Sequence, residues 1–130
     1  MIDTDEIVTL RLPAKARFIR TARLVAAGLA NELDLDLDGL DDVRLAVGEV
    51  CALATQFGAV AIDLEFILTD GHLQVRGGGT SNGSNQTVDT PVDDDQIRLV
   101  QQILDVACAE HGITRTDGEL RFSLTFVHGS

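Results

Sequence analysis

The sequence predicts an α+β two-layer sandwich: a mostly antiparallel mixed sheet with about three helices on one face. Three observations predict it. Short stretches alternate apolar and polar residues, the period of a half-buried strand. Three longer stretches repeat apolar residues every three or four positions, the period of an amphipathic helix. The order reads strand, helix, helix, hairpin, long loop, helix, hairpin. Helices on one side of a sheet bury both kinds of apolar face economically.

Residues 6–12, EIVTLRL, set Ile7, Thr9 and Arg11 against Val8, Leu10 and Leu12, which reads as a strand with one buried face. Pro13 ends it. In residues 14–33, Phe18, Ile19, Ala22, Val25, Ala26 and Leu29 form an apolar helical stripe, and Arg17, Arg20 and Arg23 step along an exposed side. A second helix is expected from Gly39 to Phe57, with Val43, Ala46, Val47, Val50, Ala54 and Phe57 inward. Glu49, Leu53 and Gln56 share another strip of it, because residues three and four apart are neighbours on a helix. Residues 59–68 and 72–76 read as strands joined at Asp70–Gly71, a hairpin signal. The glycine-rich, polar stretch 77–93 is expected to be a flexible loop. A third helix over 94–105 buries Ile97, Val100, Ile103 and Leu104, and Asp93, Asp94 and Asp95 suit the positive end of its dipole. A strand within 107–115, a turn at Asp117–Gly118 and a strand over 119–128 complete the chain.

The 130 residues suit one domain, 1–130, with one core. Acidic residues outnumber basic ones by 21 to 10, the reverse of a nucleic-acid binder. No apolar run reaches the roughly 18 residues that span a bilayer, and the acidic start is unlike a signal peptide. Cytoplasmic residence is expected, with Cys51 and Cys108 as buried, reduced thiols and a redox pair as the alternative. Half of the basic residues, Arg11, Lys15, Arg17, Arg20 and Arg23, fall between positions 11 and 23. They read either as a solvated helix face or as a docking surface for an acidic partner.

Residues 32–42, ELDLDLDGLDD, place Asp34, Asp36, Asp38 and Gly39 as a calcium loop would. The twelfth position should be a bidentate glutamate and is Leu45, so no metal is expected. The run reads better as a linker opening the second helix. Asp38 would cap it, Asp41 and Asp42 would lie in its first turn, and Leu33, Leu35, Leu37 and Leu40 would tuck beneath the helices.

DDVRLAVGEVCALA at 41–54 resembles the helix that opens the nucleotide site of the histidine-kinase-like ATPase superfamily. With RFIR at 17–20 it resembles, more narrowly, the anti-sigma-factor serine kinases of the RsbW and SpoIIAB type. The resemblance implies that fold over nearly the whole chain and is specific over residues 17–54. It implies a catalytic base at Glu49. The magnesium-holding asparagine of the family corresponds to Leu53, which has no lone pair to offer. VRGGGTSNG at 75–83 keeps glycines of the adenine box and lacks its aspartate. Asp94 and Asp95 replace the glycine pair that cradles phosphates. Like charges 4 Å apart cost roughly 4 kcal/mol at an effective dielectric near 20. No nucleotide binding and no cofactor are therefore expected, with ATP and magnesium belonging to the kinase alternative. The family's first helix carries an arginine that grips protein partners, and Arg20 matches it, flanked by Arg17 and Arg23.

The expectation is a non-catalytic anti-sigma-type regulator of a partner-switching, stress-response pathway. It would bind a sigma factor or an anti-anti-sigma antagonist, would form a homodimer, and would contact neither nucleic acid nor membrane. The alternatives are an active serine protein kinase with divergent boxes and a dimeric scaffold without activity.

Overall fold

The computed structural model describes residues 6–81 and 92–127. The elements are β1 (Glu6–Pro13), α1 (Ala16–Asn31), α2 (Leu37–Phe57), β2 (Ala61–Thr69), β3 (His72–Thr80), α3 (Asp94–Ala107), β4 (Glu110–Arg115) and β5 (Glu119–Val127). One five-stranded sheet has the order β1-β2-β3-β5-β4. The expected α+β sandwich is present, with one correction. Every strand pair is antiparallel, so the sheet is not mixed. β3 and β4 do run the same way, but β5 lies between them and pairs antiparallel with both.

The period of two along the strands builds the inner face. Ile62, Leu64, Phe66 and Leu68 of β2, Leu73 and Val75 of β3, and Leu120, Phe122, Leu124 and Phe126 of β5 are buried against the helices. Leu12 does the same for β1, but Val8 remains 37% exposed, because β1 is an edge strand whose far end no helix covers. α1 meets α2 through alanines: Ala22, Ala26 and Ala30 are fully buried. The larger Phe18, Ile19, Val25 and Leu29 pack at the border of the core. Small side chains on one helix let the two axes approach closely.

α2 begins two residues earlier than expected. Asp36, not Asp38, is its N-cap: Asp36 has extended backbone, and its carboxylate accepts from the Gly39 amide at 2.8 Å. Asp38 takes the first turn, and Asp41 and Asp42 follow in the second. Leu33, Leu35 and Leu40 do pack on the core, whereas Leu37, as the first helical residue, is 79% exposed.

β3 runs through Gly77–Gly79, which the sequence assigned to the loop. A Cβ at Gly77 would collide with the Asp63 carbonyl of β2, so the glycines permit a close strand approach that a side chain would block. Residues 82–91 of the expected flexible loop lie outside the described residues. Cys51 is buried and Cys108 half-buried, and both are free thiols. Burial pushes each up to about 12, with Asp42 adding to the effect at Cys108, so neither supplies a thiolate near neutral pH. Among the described residues no helix is long and apolar enough to cross a membrane.

Candidate functional site

α2 and α3 meet beside the sheet, where the resemblance puts the nucleotide. Glu49 is half-buried midway along α2. Leu53, one turn on, is 2% exposed and belongs to the core, which corrects its place on a polar strip. Gln56, a further turn on, is exposed and accepts from the Gln96 side chain of α3 at 3.3 Å. So the strip slides from half-buried to core to surface, and the helix pair is tied across its outer end.

The start of α3 is closed by its own carboxylates. Asp93 accepts from the Gln96 amide at 2.9 Å, and the Gln96 side chain accepts from the Asp93 amide at 3.1 Å. This reciprocal pair satisfies two of the otherwise orphaned amides of a helix start. Arg115, the last residue of β4, donates to the Val92 carbonyl and pairs with Asp94 at 2.8 Å. Asp95 pairs with Arg98 at 2.9 Å. A helix N-terminus ordinarily attracts phosphate; here the anion on the amides is a side chain of the same molecule. The glycines at 77–79 lie within β3, pressed against β2 and β5.

Arg17, Arg20 and Arg23 are all exposed on α1, as expected, but their surroundings differ. The Arg17 guanidinium lies 5.0 Å from the centre of the Phe18 ring, a cation–π contact. Arg23 lays its aliphatic stem over Gly48 of α2: a Cβ there would sit 3.2 Å from the Arg23 Cδ. Gly48 thus makes room for Arg23, a link that sequence spacing alone does not reveal.

The outer face of the sheet holds charged residues that the sequence reading left aside. A hollow of about 510 Å³ is bordered by Thr9, Arg11, Asp63, Glu65, Arg76 and Arg121. At its β1–β2 edge, Arg11 Nη1 donates to both carboxylate oxygens of Asp63 at 2.7 and 2.9 Å. The polar members of the strand alternation were the available signal. Among the described residues no group of three or more His, Cys, Asp or Glu could hold a metal ion. Asp36 of the acidic run spends a carboxylate oxygen on its helix cap.

No family model matches the chain. Over 56 residues it is 32% identical to the serine-protein kinase RsbW of Bacillus thuringiensis (strain Al Hakam), and equally to those of Bacillus mycoides (strain KBAB4) and Bacillus anthracis (strain CDC 684 / NRRL 3495). The match covers 43% of this chain and 35% of each relative, so it spans about a third of the length of the curated relatives. A chain in the crystal structure of the SiaB-SiaC complex from Pseudomonas aeruginosa shares the fold. Its TM-score is 0.65 over 92% of this chain and 88% of that one, at 11% identity. The fold is thus a known α+β sandwich. The sequence similarity agrees with the resemblance to serine-protein kinases of the RsbW type.

Proposed function

We propose that this chain is a partner-switching regulator of the RsbW type. It binds a sigma factor or its antagonist protein through the α1 arginines and acts without ATP hydrolysis. The observation that carries this reading is the start of α3. The Asp93 carboxylate occupies the Gln96 amide and places a negative charge where phosphate would sit, and Arg115 is engaged with Asp94 and Val92. Leu53 in the core at the place of the metal-holding asparagine supports it. So does the exposure of Arg17 and Arg20, because arginine pairs with carboxylates in two-point fashion. The SiaB-SiaC complex, an assembly that contains a chain of the same fold, supports a role in protein association. A cytoplasmic, homodimeric protein is part of the same proposal.

The test is affinity purification from the source cell with the unaltered chain and with Arg20→Glu. Capture of a sigma factor or antagonist by the first and its loss with the second is expected. Capture of neither by the unaltered chain rejects the reading. The kinase reading keeps two supports: the matched relatives are serine-protein kinases, and Glu49 is half-buried at the family's base position. Calorimetry with magnesium and ATP separates the two: submillimolar binding favours the kinase.

A further inference from the structure

At the end of the molecule away from Arg17 and Arg20, the start of α2 lies beside the end of α3. Between them, over the end of β5, is a hollow of about 240 Å³ lined by Leu35, Gly39, Asp42, Val106, Phe126 and Val127, among others. Small-molecule sites run to roughly 300–1,000 Å³, so this one suits a single side chain better than a metabolite. Its rim is apolar where the fold does not require it. Val106 is 83% exposed and Val127 44%. α3 buries Val100, Leu104 and Ala107, so Val106 adds nothing to the core. Single exposed apolar residues need no account, whereas two side by side on the rim of one hollow do.

The charge around it has one sign. Asp36, Asp38, Asp41 and Asp42 gather at the start of α2. Arg44 answers Asp41 at 2.9 Å, and Asp105 is taken by His111 at 2.6 Å. Among the described residues, no cation lies within ion-pair distance of Asp36, Asp38 or Asp42. Burial, and then Asp38, Asp41 and Asp36, hold the Asp42 carboxyl above its ordinary range. Asp36 serves the helix as its cap, but the mutual repulsion of these carboxylates opposes folding, and a cation from outside relieves it.

We propose that this hollow docks a basic segment of a partner protein. One large aliphatic or aromatic side chain of that segment sits among Leu35, Val106 and Val127, and flanking lysines or arginines pair with Asp38 and Asp42. Charge complementarity selects this occupant, since a second copy of a chain with net charge −11 would bring its acids against these. The surface is separate from the α1 patch. Arg17 and Arg20 lie about 17–21 Å back along α1 from its end, at 1.5 Å per residue. The inference goes beyond the α1 reading and stands without it. The two surfaces together would let one chain hold an acidic and a basic segment at once.

The test uses the full chain and three fluorescein-labelled synthetic peptides. One is lysine-rich with two central leucines, one has serines for the leucines, and one has glutamates for the lysines. Anisotropy titrations should show binding of the first, weakened by salt, with at least about tenfold loss for the serine form (1.4 kcal/mol) and none for the glutamate form. Amide shifts on binding should centre on Leu35, Leu37, Gly39, Val106 and Val127. Val106→Asp is decisive, because it adds negative charge. Unspecific attraction to an acidic chain would grow, whereas docking in the hollow should weaken at least about tenfold. The double variant Asp38→Asn, Asp42→Asn should flatten the salt dependence. Equal binding of the serine peptide, unchanged or tighter binding by Val106→Asp, or shifts centred elsewhere would each overturn the proposal. A thermal melt confirms that the variants remain folded.

Discussion

Leu53 illustrates what a single residue says before and after folding. In the sequence it marks a missing metal ligand four residues beyond Glu49. In the structure it is 2% exposed and fills the core under α2. Restoring the asparagine therefore buries an amide and leaves a void. Leu53→Asn should destabilise the fold by about 2–5 kcal/mol, read from the urea midpoint, with no gain of Mg-ATP binding by calorimetry. Asp42 behaves in the opposite sense. Its folded carboxyl titrates above the ordinary 3.8 through burial and the neighbouring Asp38, Asp41 and Asp36. The protonated form thus contributes stability that is fully present below 3.8 and is lost as pH rises through the folded value. Asp42→Asn should stabilise the protein at neutral pH by about 0.5 kcal/mol or less, the size of one like-charge pair four apart on a helix. That advantage should vanish in melts below pH 3.8. The same substitution should weaken binding of a basic peptide, so stability and recognition are expected to move in opposite directions.

Among the elements, the three helices were legible because their apolar residues keep the 3.6 period over many turns. Helix ends were less so. Asp36 and Asp38 are both aspartates before a plausible helix start. The cap is the residue left in extended backbone once Leu35 and Leu40 have packed on the core. Asp36→Ala should cost about 1 kcal/mol. Asp38→Ala should cost less than half as much, because its favourable dipole contact is offset by repulsion from Asp42. Paired thermal melts check the order, and a larger loss for Asp38→Ala would return the cap to that residue. At α3 the capping pair Asp93 and Gln96 is local, three residues apart, and the start of the helix was found within one residue. β3 was cut short in the reading because Gly77–Gly79 has loop chemistry. Its strand pairing is imposed by β2 and β5 on either side, a non-local cause.

Across the whole molecule, a net charge of −11 sets a background repulsion that the few ion pairs only partly offset. Most of those pairs are exposed, and each such pair is worth about 0–1 kcal/mol. The melting temperature should therefore rise when salt is added from about 0.01 M to 0.15 M, as the screening length falls from about 30 Å to 8 Å. A flat or falling response would mean that the exposed pairs outweigh the repulsion. The sequence by itself determined the element order, the α+β class and most of the inward face of the three helices. Each of these follows from periodicity and from turn residues acting within a few positions. The similarity to RsbW-type kinases was likewise legible, in a helix motif of fourteen contiguous residues. Only the tertiary structure decided which aspartate caps α2, that Leu53 is core, and that Arg115 holds the start of α3 from 21 residues away. It also decided that Val106 and Val127 stand on the rim of one hollow beside Asp42. Burial and ion pairing depend on what the rest of the chain brings alongside, and no local pattern carries that information.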